Sequence, residues 1–180
     1  MNKIEEHNRN HLINIIDKIP YGIPDGWDKV IEITVGGLLY VGFSEVLTSM
    51  LVCISSQGQS VINCETGEIK FCEENYDEDD LIAIAEQLGN EVIHIAGIGG
   101  GGLRCHTKAG DRVEMVAPEY PRQKIVFMSD YKLYIQNPEE SFILFDDYEI
   151  RGYGFSKCGR YLVIASSGEL LVLKKVSNEI

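Results

Sequence analysis

Nowhere does the sequence hold the roughly 20 consecutive apolar residues that a membrane-crossing helix needs. The first ten residues, Met1 to Asn10, are too polar for a secretory signal, so no membrane partner and a cytosolic location are expected. The cysteines, Cys53, Cys64, Cys72, Cys105 and Cys158, are odd in number and contain no Cys-x-x-Cys pair, which argues against a secreted disulfide scaffold and for reduced thiols. Basic residues are the minority, 16 against 28 acidic, giving a formal charge of −12. A phosphate-rich partner would be repelled, because the counterion release that drives nucleic-acid binding needs cations on the protein. The same field attracts a basic partner, or else simply keeps the chain soluble.

What is present fits a globular fold. At 180 residues, 44% of them apolar and 24% charged, the chain has a core to bury and the length of a single domain. Ile4, Leu12, Ile15, Ile16 and Ile19 recur at near-helical spacing until Pro20, which predicts one amphipathic helix within residues 1–20. Gly22, Pro24 and Gly26 beside Trp27 predict a turn with an aromatic plug, leading into a β body over residues 27–176. There, short Val-, Ile-, Tyr- and Phe-rich runs alternate with turn residues, and about ten strands are expected. They include Leu38 to Phe43, Met50 to Ser55, Leu103 to Thr107, Arg112 to Val116, Leu133 to Gln136 and Glu169 to Lys174. Asp80 to Leu88 suits either a buried strand or a helix capped by Asp79 or Asp80, and is read as a short helix.

The body contains an internal echo. Val41-Gly42-Phe43-Ser44 followed by Leu51 to Ser56 and Gly58 matches Tyr153-Gly154-Phe155-Ser156 followed by Leu162 to Ser167 and Gly168. Strand, tight turn, strand, Ser-Ser turn, strand is the order of a propeller blade, a sheet that needs a neighbour to cover its faces. With room for two or three blades plus the helix, the expected fold is mainly β. It consists of antiparallel meander sheets resembling a partial, open β-propeller with one N-terminal α-helix. Two similar hairpins of a β-sandwich are the alternative.

Few segments carry chemistry. Gly97 to Gly102 satisfies Gly-x-Gly-x-x-Gly, but a dinucleotide fingerprint needs a helix opening at its last glycine, and Leu103 to Asp111 reads as a strand and turn. The run is better read as a bend between sheets, and no cofactor is expected. Cys105 and His106 are neighbours on an extended segment and point to opposite faces. His94 reads as a sheet residue, and His7 with His11 lacks both the intervening Glu of a metalloprotease and a third ligand, so no metal site is expected. Gly154-Phe155-Ser156-Lys157-Cys158 is a repeat turn and not a nucleophile elbow. Glu73-Glu74 and Asp146-Asp147 stand in polar stretches where neither member of the pair is set apart. No catalytic residue is assigned.

The strongest charge feature is Glu73-Glu74-Asn75-Tyr76-Asp77-Glu78-Asp79-Asp80, six carboxylates in eight positions without the spacing of a calcium loop. It is either a solvated loop or a surface for Arg and Lys side chains of a basic protein. In the second case Glu73, Glu74, Asp77, Glu78, Asp79 and Asp80 supply charge and Tyr76 an aromatic anchor.

Gln87 to Gly97, the glycine run, Leu103 to Val116 with its Ala-Gly-Asp turn, and Gly154 to Ala165 resemble small bacterial immunity proteins of contact-dependent growth inhibition and related polymorphic toxin systems. The resemblance spans about half the chain and rests on structural glycines and turns, so no binding residue carries over. It implies a cytosolic binding protein, not an enzyme, that neutralises one cognate toxin domain, often a nuclease. The alternatives from other classes are a nucleotide-binding enzyme using Gly97 to Gly102 and a general protein-interaction module.

Overall fold

The computed structural model describes residues 3–176. They form one α-helix, fifteen strands and two single 3₁₀ turns, and every ladder between strands is antiparallel. The fold is mainly β, and none of the sheets closes into a barrel. Its backbone groups into two compact units, one of residues up to Asp25 with His106–Glu149, the other of Gly26–Cys105 with the chain from Ile150 onward.

In the first unit, helix α1 (Lys3–Ile16) packs over the sheet β10 (Arg112–Val116), β11 (Gln123–Met128) and β12 (Phe142–Asp147). Ile16 and Ile19, with Leu12 and Ile15 beside them, meet Val116, Val126, Met128, Tyr134 and Ile143 in one apolar cluster. Glu5 and Glu6 lie in the first helical turn, where the helix dipole favours negative charge. Ile4 is not on the packed face; it is exposed, because the apolar stripe starts only at Leu12.

In the second unit three sheets stack in series. The outer sheet orders β1 (Trp27–Thr34), β15 (Glu169–Lys175), β14 (Tyr161–Ser166) and β13 (Ile150–Phe155). The middle sheet orders β5 (Ile69–Cys72), β4 (Gly58–Asn63), β3 (Met50–Ser55), β2 (Leu38–Phe43) and β9 (Ala96–Gly97). The third orders β6 (Tyr76–Asp77), β7 (Ile82–Ala85) and β8 (Glu91–His94).

Strand β3 shows why the middle sheet needs two neighbours. Leu51 and Cys53 pack toward Val163, Leu170 and Val172 of the outer sheet, while Val52 and Ile54 pack toward Ala83, Ala85 and Ile93 of the third. Alternation along a strand sends successive side chains to opposite faces, and here both faces are apolar. Each fully buried Val, Leu or Ile contributes about 1.5–3 kcal/mol, an incentive to stack that a two-layer arrangement would halve for this strand.

The echo is structural. Gly42 faces Val52 and Phe43 faces Leu51 in the first copy; Gly154 faces Val163 and Phe155 faces Leu162 in the second. The register shift between Leu38 and Tyr40 recurs between Ile150 and Gly152. Ser44 N–H donates to Met50 O at 3.0 Å, and Ser156 N–H donates to Tyr161 O at 2.9 Å, so the turns after both first strands close alike. Trp27 plugs the second copy from the side, its ring 5.9 Å from that of Phe155.

Three expectations need correction. Asp80 to Leu88 is not a helix: Ile82–Ala85 is strand β7, with one 3₁₀ turn at Glu86–Leu88, because Ala83 and Ala85 alternate into the core and β8 pairs along the whole run. Leu103 to Thr107 makes only isolated bridges, through Arg104 and His106. Leu133 to Gln136 coils into a turn, with Gln136 and Asn137 N–H both donating to Leu133 O, which lets Tyr134 reach the core.

Candidate functional site

The acidic segment folds as a hairpin tip and not as a free loop. Gln59, fully buried on β4, donates its side-chain amide to Ile84 O at 2.8 Å and accepts from Asn75 N–H at 3.0 Å, which pins the segment's entry between two sheets. Tyr76 pairs with Ala83 and Asp77 with Ile82. At the turn, Asp77 Oδ1 accepts from the N–H groups of Asp79 at 2.9 Å and Asp80 at 3.0 Å, and Leu81 closes it with φ 53°. A short side-chain acceptor that reaches its own backbone two residues on is a turn-forming device, and aspartate and asparagine provide it more strongly than serine or threonine.

Glu73, Glu74, Asp77, Glu78, Asp79 and Asp80 are all exposed. None of the six makes an ion pair with a Lys or Arg among the described residues. Tyr76 is placed differently. It is half-buried in the core between the middle and third sheets, its ring 6.1 Å from that of Tyr40, so it holds the hairpin to the fold. Tyr40 is buried, and its hydroxyl donates to Glu78 at 3.5 Å. Burial, then the negative charge of Glu78, raises the Tyr40 phenol above its ordinary pKa. The exposed aromatic near the carboxylates is Phe71, 67% exposed on edge strand β5 two positions before Glu73. Its outward direction depends on sheet register, which the local sequence does not display.

A second feature went unread in the sequence. The Gly-Phe-Ser turns of the two repeat copies lie side by side and line a cleft of about 320 Å³ with Phe43, Ser44, Glu45, His94, Gly102, Leu103, Arg104, Phe155 and Lys157. The repeat glycines seat its other walls. A Cβ on Gly42 would stand 2.5 Å from His94 O, and one on Gly154, whose φ is 149°, would stand 2.5 Å from Leu103 Cβ. Glu45 and Lys157 hold equivalent positions in the two copies and bond at 3.2 Å, while Arg104 reaches Glu45 at 2.8 Å. Hydrogen bonds from Arg104 and Lys157 hold the Glu45 carboxyl below its usual range. The signal in the sequence was the opposite charge at matched repeat positions.

The remaining candidates resolve simply. His7 and His11 are exposed on α1, and among the described residues no three His, Cys, Asp or Glu side chains converge as metal ligands would. His94 is exposed at the end of β8, where it joins the cleft wall. After Gly97 the glycine run turns back, Gly97 and Gly100 exchanging hydrogen bonds of 2.8 and 3.0 Å, and no helix opens at Gly102. A Cβ on Gly97 would fall 1.9 Å from Leu39 O, so the glycine permits close approach of two chains. Asp146, read as an ordinary member of a carboxylate pair, is set apart from Asp147. Burial works to raise its pKa, but hydrogen bonds from Arg122 and Tyr21, each at 2.7 Å, outweigh that and hold it low. Among the described residues no helix is long and apolar enough to cross a membrane. No protein-family model, curated protein or solved structure matches the chain.

Proposed function

We propose that this chain is an immunity protein that binds and neutralises a cognate basic toxin domain, of the kind that acts on nucleic acid, in the cytosol. The observation that carries the reading is the acidic hairpin: six exposed carboxylates, fixed in place by Gln59 and by the Asp77 turn, with no cationic partner of their own among the described residues. A nuclease presents cations to phosphates, and an acidic blocker engages those same cations. The formal charge of −12 speeds such an encounter, and the resemblance to immunity proteins of contact-dependent growth inhibition points the same way. Preorganisation matters because ordering a loop on binding costs affinity, and this turn is ordered beforehand.

The test is co-expression with the product of the gene immediately upstream. Restored growth with the wild-type chain, and loss of rescue when the six carboxylates are replaced by amides, is the expected outcome. Continued toxicity beside the wild-type chain, or an upstream product without toxicity, would contradict the reading.

A further inference from the structure

We propose that the cleft where the two repeat copies converge is a binding site for a small organic anion, a carboxylate or phosphate carried on an apolar body. This goes beyond the toxin-binding reading and does not depend on it. The cleft's volume of about 320 Å³ lies at the lower end of what small-molecule sites occupy, and its mixture of apolar wall and few convergent polar groups is theirs as well. Phe43, Leu103 and Phe155 form the apolar wall.

The charged groups select the sign of the ligand. Glu45 is the one carboxylate of the lining, and it faces two cationic side chains, Arg104 and Lys157. A guanidinium carries five N–H donors and an ammonium three, while Glu45 takes one from each. Donors are therefore left over at the mouth of the cleft, where the lining itself sets two cations against one carboxylate and the second carboxylate, Glu91, lies behind Ser44 and Glu45 with its oxygens turned to their hydroxyl and N–H groups. Both cationic side chains are about half exposed, 53% and 51%, so solvent and solutes reach them.

The arrangement is also braced from behind. The Glu91 carboxylate accepts from Ser44 Oγ, from Glu45 N–H at 2.8 Å and from Val46 N–H at 3.2 Å. Those bonds fix the turn that carries Glu45, and Glu45 in turn holds the heads of Arg104 and Lys157 together. An incoming anion meets donors that are already oriented, and it competes with Glu45 for them.

The test is a titration of the full chain with benzoate, phenyl phosphate and inorganic phosphate at constant ionic strength, followed by backbone amide NMR. Saturable shifts centred on Ser44, Glu45, Arg104 and Phe155 are expected with benzoate or phenyl phosphate, the latter binding more tightly than inorganic phosphate. Replacing both cations, Arg104→Gln with Lys157→Gln, should weaken binding by about tenfold or more. Glu45→Gln should strengthen it, because the competing carboxylate is gone; a purely structural Glu45 would weaken it instead. No saturable shift with either organic anion, shifts centred elsewhere, inorganic phosphate binding as well as phenyl phosphate, or unchanged affinity in the double variant would overturn the proposal.

Discussion

Glu45 and Glu65 pair their charge with cations of the same chain, whereas among the described residues the six carboxylates from Glu73 to Asp80 have no such partner. Glu65 follows β4 of the middle sheet and ties it to the outer one: it accepts from the buried Tyr161 hydroxyl, pairs with Lys174, and lies 3.3 Å from Arg160. Glu45 makes a similar tie through Lys157 and Arg104. Hydrogen bonds from Lys174 and Tyr161 hold the Glu65 carboxyl below its ordinary value. Among the described residues the hairpin carboxylates meet backbone N–H groups and the Tyr40 hydroxyl, and no cation. The contrast separates acidity that builds the stack from acidity left for another molecule.

Four outcomes would sharpen or break this contrast. The largest effect is expected in binding: replacing Glu73, Glu74, Asp77, Glu78, Asp79 and Asp80 by amides should weaken the complex with the basic partner by about 100-fold. Its salt dependence should shrink in parallel, which titration at two ionic strengths reads directly. Next comes Glu65→Ala, which strands the hydroxyl of Tyr161 in the core and should cost about 1–2 kcal/mol in denaturant unfolding while leaving partner affinity alone.

A smaller effect is expected with pH. A carboxyl whose folded pKa is depressed contributes stability above its unfolded value and loses it as pH falls through the folded one. Stability should therefore decline below the usual value of 4.5, and Glu65→Gln should flatten that decline in urea midpoints measured between pH 6 and pH 3. The smallest is the stability of the six-amide variant. Relief of mutual repulsion on an exposed turn should raise its unfolding free energy by about 0.5 kcal/mol or less, whereas a loss of several times that would mean that the hairpin charges are structural after all.

Much of this architecture was legible because it repeats at short range. Leu38–Phe43, Met50–Ser55 and Arg112–Val116 emerge as strands with the bounds read from their apolar runs and flanking turn residues. The echo of Gly-Phe-Ser carried the stacking of blade-like sheets with it, down to a shared register shift. Of the third sheet, β6 escaped notice because it is only Tyr76–Asp77, and β7 was read as a helix because it mixes small alanines with isoleucines, a pattern that fits helix and strand alike. The pairing of β1 with β15 joins the two ends of the unit, a contact no local pattern encodes.

The site was legible in part for the same reason. A run of six carboxylates is visible at once, but that Tyr76 turns inward onto Tyr40 follows from its pairing with Ala83, a tertiary fact. Glu45, Arg104 and Lys157 lie far apart along the chain, and only the folding of the two repeat copies against one another brings them to one cleft.

The central claim, that the hairpin's carboxylates form the surface a basic partner grips, is tested most directly by one binding isotherm. The wild-type chain and the six-amide variant would be titrated against the upstream gene's product, with Glu65→Ala as the control for fold. The account predicts tight binding by the wild-type and Glu65→Ala chains and a loss of about 100-fold in the six-amide variant. Equal affinity of the six-amide variant and the wild type would contradict it.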